Sequence, residues 1–356
     1  MLLRIPASKD TTITNKNVLG TAVVYSNAGA SEILQVFKTY QPAQQANILI
    51  SFMTGNIQPM TGSFSGTISY RLVMRNVETE NPNPGQFDLE ILPLTQSWNE
   101  GSGQDLDYWT DMGSANWVSS STGLVWSNQG ARPTTSSLIV PSHFDTGHED
   151  IDVDVSSLVS SSPYGLWVGI SSTQAADTND YYLKAFRSRN SHSQYLQPYI
   201  EARWNDATGS FDADFIDIVD ATGTLVGGVY DLRPVYYRAE TPVLHTYLRP
   251  IDWNAAVVNT GSTDVTGTVL TRAFYRVVNN VTNDIVIDFG TGSSPSVAAF
   301  SSDAYTQMSY NDSCNYFQFP MQNLVPGFTY RFEVGYFDIN NSWRINILDN
   351  RTFRVI

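Results

Sequence analysis

The residues best able to do chemistry gather between positions 98 and 126. Glu100, Asp105, Asp107 and Asp111 form an acidic loop, and hard cations such as calcium take several carboxylate and carbonyl oxygens from loops of this kind. The spacing is not that of an EF-hand, and a solvated acidic loop is the commoner outcome for such a run. Trp98, Trp109, Trp117 and Trp126 fall in the same stretch, with Tyr108 among them. Aromatic faces of this sort stack on the C–H face of a pyranose ring. Tryptophans also bury large areas, so clustered ones more often fill a core and pin a loop. Tyr108 and Trp109 are therefore the candidate glycan contacts, and Trp98 and Trp117 the candidate core residues.

Other constellations are weaker. His143, Asp145, His148 and Asp150 offer zinc-type ligands within one short segment, without the helical H-E-x-x-H spacing; a polar surface loop is the simpler reading. His192 and His245 stand isolated along the sequence, and Cys314, the single cysteine, reads as a small buried or half-buried residue. Asp152 and Asp154 have the period-two spacing of a solvated strand face. A nucleophile elbow and a phosphate-binding glycine loop are both absent from the sequence, so the expectation is a chain that is not an enzyme.

The elements that must position these residues are strands. Of 356 residues 42% are hydrophobic but only 15% charged, so Ser, Thr, Asn, Gln, Gly and Tyr carry the surface, as in packed β-structure. Alternation marks half-buried strands at Gly66–Val73, Phe87–Leu92 and Ile151–Val155, while Ala46–Phe52 is a short, mostly apolar run. The best helical window is Ala28–Phe37. A polar stretch, Trp204–Ser210, reads as a boundary, and further strand patterns follow it at Val229–Tyr237, Leu244–Leu248, Val269–Val278, Ile285–Phe289, Tyr330–Phe337 and Arg351–Ile356. The expected organisation is two domains, 1–205 and 206–356.

Net charge is −14, which disfavours the phosphate backbone of nucleic acids. Only Lys9, Lys16, Lys38 and Lys184 are lysines, and the other sixteen basic residues are arginines, so no polybasic cluster suits an anionic membrane. The first residues hold too short an apolar run for a secretion signal, and assembly in a cytoplasm is the expectation.

Several motifs recur in an order that carries a resemblance. They are Ala7–Ile13 (ASKDTTI), Thr67–Arg75, Leu94–Gly103 (LTQSWNEGSG), Gly113–Trp117 (GSANW), Val125–Gly130 (VWSNQG), Ile151–Leu158 (IDVDVSSL) and Lys184–Trp204, which contains Phe186-Arg187-Ser188-Arg189. This series resembles the DNRLRE-type β-sandwich modules, related to carbohydrate-binding modules, in the version found in structural proteins of tailed bacteriophages. Residues 308–330, with Asn315-Tyr316-Phe317 and Leu324-Val325-Pro326, are similar to a pattern of the same virion proteins, departing from it at Gly327-Phe328 and in a longer loop at Gly290–Ala304.

The resemblance implies an all-β chain, with a jelly-roll-like sandwich followed by an Ig-like sandwich. It implies a non-enzymatic virion protein (head decoration, neck, baseplate or fibre) that docks on other virion proteins in a multi-copy, symmetric arrangement. A carbohydrate-binding host-recognition module is the alternative, and a polysaccharide-degrading enzyme a third.

Overall fold

In the computed structural model the described residues are 1–54, 66–79, 85–107, 109–134, 137–210, 225–251, 268–292, 303–347 and 351–356. The chain is nearly all β, 44% strand and 5% helix, and divides into two compact units. One comprises Arg4–Gly62 and Ser69–Ala202; the other comprises Met1–Leu3, Ser63–Ile68 and Arg203–Ile356. Among the described residues no helix is long and apolar enough to cross a membrane.

The first unit is built, from Arg4 onward, on β1 (Leu2–Thr14), the short hairpin β2 (Asn17–Val18) and β3 (Thr21–Ala22), β4 (Ile33–Thr39), β5 (Gln44–Phe52), β6 (Ser69–Met74) and β7 (Phe87–Pro93). A second small hairpin, β8 (Ser119–Ser121) and β9 (Leu124–Val125), precedes β10 (Val140–Phe144), β11 (Ile151–Asp154), β12 (Leu166–Ile170), β13 (Tyr181–Arg187) and β14 (Tyr199–Arg203). Pairing runs β10-β7-β12-β5-β1-β14-β6-β11, with β4 beside β5 and β13 beside β4. β1 neighbours both β5 and β14, and its register with β5 shifts between Ala7 and Lys9, a bulge where the strand bends.

Two separate cores explain the sequence of β5. Ile48 and Ile50 meet Leu72, Phe87, Leu89, Ile91, Ile151, Val168 and Ile200 in the sandwich interior. Leu49 points the other way, into a second cluster with Leu92, Trp98, Trp117, Trp126 and Trp167. A strand with apolar partners on both faces needs no alternation, hence the continuous run ANILISF. Trp98, Trp117 and Trp126 are buried as expected of core residues, in a core that lies outside the sheet and beneath the 94–131 loops.

The window 28–37 is not helical. Ile33–Thr39 forms β4, whose residues alternate between buried and half-buried, with Leu34 and Val36 fully buried. β-branched residues there and pairing to β5 and β13 override a weak helical pattern.

The second unit contains β15 (Leu225–Val229), β16 (Val235–Tyr236), β17 (Val243–Pro250), β18 (Ala273–Asn279), β19 (Ile285–Ile287), β20 (Ser309–Tyr310), β21 (Asn315–Gln318), β22 (Thr329–Phe337), β23 (Trp343–Ile347) and β24 (Phe353–Val355). One sheet runs β15-β17-β21-β20 and the other β16-β24-β22-β18-β19, with β23 beside β22. The sheets meet through aromatic rings. Phe317 of β21 stacks on Tyr275 of β18 at 4.4 Å and meets Phe332 of β22 edge-on at 5.2 Å. Val229–Tyr237, read as one strand, instead holds the last residue of β15, a turn at Tyr230–Asp231 and the two residues of β16.

Candidate functional site

Three of the recurring motifs converge on one ionic cluster in the first unit. Asp10 of β1 is fully buried, and its Oδ2 accepts the Arg189 backbone N–H at 2.6 Å. The Arg189 guanidinium donates twice to Glu100, from Nε to Oε1 at 2.5 Å and from Nη2 to Oε2 at 2.6 Å. Glu100 Oε1 also accepts the Asp10 backbone N–H at 2.7 Å. The bidentate fork fixes the geometry of the loop in which Glu100 lies. Burial pushes the Asp10 carboxyl up to about 7, with the Glu100 charge adding to the effect and the Arg189 contacts opposing it. Asp10 Oδ1 is buried without a hydrogen-bond partner.

The glycines of the Asn99–Gly103 turn serve the same assembly. Gly103 N–H donates to Asn27 Oδ1 at 3.0 Å, and a Cβ on Gly103 would lie 1.9 Å from the Asn27 carbonyl oxygen. Lys9 completes the fastening. Its Nζ donates to the Trp98 carbonyl at 2.9 Å and sits 4.8 Å from the Trp98 ring centroid.

The four carboxylates proposed for calcium do not converge. Glu100 belongs to Arg189. Asp105 Oδ1 accepts the Asp107 N–H at 2.9 Å, Asp107 pairs with Lys16 Nζ at 2.6 Å, and Asp111 caps the Ser102 and Gly113 N–H groups at 3.3 Å each. Each carboxylate answers a nearby donor, and among the described residues no group of three or more His, Cys, Asp or Glu side chains could hold a metal ion. Tyr108 lies outside the described residues. Trp109 is 41% exposed, and nearby the Asp111 N–H donates to the Tyr25 carbonyl at 3.0 Å. Tyr25, Met112, Leu124 and Val125 are also exposed, a concentration of large apolar side chains at the 105–125 loops.

The His143 segment is a surface network. His143 Nδ1 meets Asp88 at 2.6 Å and Nε2 meets Asp145 at 3.2 Å; the hydrogen bond to Asp88 raises the imidazole's affinity for a proton. Asp150 pairs with Arg75 at 2.6 Å. Beneath the segment the fully buried Lys184 donates to Asn76 Oδ1 at 2.7 Å and to the Gly147 and Glu149 carbonyls at 2.8 Å each. Burial lowers this lysine to about 8, and its ammonium ties the 147–149 turn to β13.

In the second unit His245 is not isolated. Its Nδ1 meets Asp231 Oδ2 at 2.6 Å, and its backbone N–H donates to Asp231 Oδ1 at 3.0 Å. Fourteen residues separate the two in sequence, which is why no local motif announced the pair. Cys314 lines the same groove as His245 and is half-buried, but burial and the Asp231 charge push its thiol up, away from a reactive thiolate. No protein-family model, curated protein or solved structure matches this chain.

Proposed function

We propose that this chain is a non-enzymatic structural protein of a tailed-phage virion, acting through protein–protein docking in a multi-copy, symmetric assembly. The observation that carries the reading is the meeting of Asp10, Glu100 and Arg189. These residues come from three of the motifs on which the resemblance rests, up to 179 residues apart, and they join in a single fastening in which the half-buried Glu100–Arg189 pair covers the buried Asp10. The motif's charged residues hold loops instead of facing a cleft, and burial with the Asp231 charge pushes the Cys314 thiol up. Both features support a scaffold. Repeated contact between identical copies is the way such a scaffold acts. The test is a reconstruction of the particle together with quantification of the chain in purified virions. A fixed copy number matching a symmetry axis is expected; a free monomer absent from particles would overturn the proposal.

One observation favours glycan recognition as a second reading. Trp109 is 41% exposed while Trp98, Trp117 and Trp126 are buried. A half-exposed indole is a usable stacking surface for a sugar ring. Binding on a glycan array that disappears in Trp109→Ala, with folding retained, would bear this out; an array without signal would exclude it.

A further inference from the structure

The outer face of the β15-β17-β21 sheet carries a groove of ≈ 710 Å³, within the range of small-ligand sites. Strand alternation builds it. In β17 Leu244, Thr246 and Leu248 point into the core, so His245, Tyr247 and Arg249 lie half-buried on the opposite face. Across the ladder Gly228 pairs with Tyr247, and this lack of a side chain opens the groove beside Tyr247. Tyr230 stands at one wall, 70% exposed, its ring 6.2 Å from that of His245; Tyr316 lies 5.9 Å from His245 on the other side.

The charge of the groove runs against that of the chain. Arg249 and Arg351 both line it in a molecule of net charge −14. Arg351 Nη1 is held along the rim by the Val229 and Tyr230 carbonyls at 3.3 and 3.4 Å. The adjacent carboxylate, Asp231, is turned to His245, which occupies both of its oxygens. That contact takes up Nδ1 and leaves the His245 Nε2 for another group. The Tyr247 hydroxyl is buried without a hydrogen-bond partner, a condition that buried polar groups seldom keep.

We propose that this groove binds a carboxylate-bearing saccharide, a uronic acid unit of an acidic polysaccharide. The two guanidinium groups suit the carboxylate, because a planar fork matches it and is weakly hydrated. The Tyr230 face suits the C–H surface of the ring, and the Tyr247 hydroxyl and His245 Nε2 suit its hydroxyl groups. The site is distinct from Trp109, which lies in the other unit of the fold.

The test is affinity electrophoresis of the full chain in native gels containing alginate, polygalacturonate or hyaluronate, with methyl-esterified pectin as the uncharged counterpart. Retardation by at least one of the three acidic polymers and none by the ester is expected. Arg249→Gln should weaken it about tenfold, the loss typical of one hydrogen bond to a charged group, and Tyr230→Ala should weaken it by about three- to tenfold through loss of the stacking face. Trp109→Ala should leave it unchanged. Truncating the exposed Tyr230 leaves the core intact, which a wild-type melting curve will verify. Unchanged mobility in all three acidic polymers, equal retardation by the ester, or retention that survives both groove substitutions would overturn the proposal.

Discussion

Replacing Asp10 with asparagine isolates the most perturbed carboxyl of the first unit. Its ordinary value is 3.8 and burial pushes it up to about 7, with Glu100 and Arg189 as the charged groups facing it. The folded state therefore holds a proton that the unfolded chain releases above 3.8. This contribution to stability is full below about 3.8 and is lost as pH rises through 7. Between the two values the slope is about −1.4 kcal/mol per pH unit, and it halves at the upper one. The wild type should thus lose about 2.3 kcal/mol from this group between pH 5 and pH 7. The asparagine side chain of the Asp10→Asn variant keeps an acceptor for the Arg189 N–H and cannot titrate. The difference in stability between wild type and variant should change by about 2.3 kcal/mol over that interval, in favour of the variant at the higher pH. Taking the difference cancels the histidines, which titrate equally in both proteins. Denaturant unfolding followed by the fluorescence of the buried first-unit tryptophans reads it directly. A difference that stays constant within about 0.5 kcal/mol from pH 5 to 7 would refute the argument that Asp10 is folded as a protonated acid.

Trp98→Ala and Trp117→Ala should each destabilise the first unit by about 3–5 kcal/mol, read by chemical denaturation, because both fill the core outside the sheet. Trp109→Ala, at an exposed position, should change stability by less than about 1 kcal/mol in the same assay. Gly103→Ala should cost about 1–3 kcal/mol, since its Cβ would collide with backbone that cannot move aside freely. Lys184→Met should cost about 3 kcal/mol and speed amide exchange across 147–149, because one buried and two part-buried acceptors lose their donor.

Strands with one solvated face were legible in the sequence. Ile151–Asp154 pairs as its alternation suggested, and the exposed Asp152 meets Arg71 across the ladder at 2.7 Å; Phe87–Pro93, read as half-buried, is a strand covered on both faces, with Glu90 buried and Leu92 in the tryptophan core. A solvent-facing carboxylate every second residue is a local signal and needs no knowledge of the partner strand. Asp10 gave no such signal. Its neighbours Lys9 and Thr11 are as polar as it is, and only contacts 90 and 179 residues away show that it is buried. The acidic run Glu100–Asp111 looked like one site because proximity in sequence is visible and side-chain direction is not. Its four carboxylates each satisfy a different donor. The tryptophans were separable by motif position, yet that they build a core of their own behind β5 required the fold. Alternation along Val243–Pro250 puts His245 and Arg249 on one face, but Asp231 and Arg351 come from outside that strand, so periodicity could not bring them to it.

The core outside the sheet gives the first unit an unusual tolerance of broken chain. Trp98 lies before the exposed Trp109 and Met112 and Trp117 after them, and both are anchored in the same apolar cluster with Leu49, Leu92 and Trp167. A protease that nicks the chain there leaves each new end held by its own buried indole and by the ladder beneath. The two fragments should then travel as one particle through gel filtration and part only in denaturant.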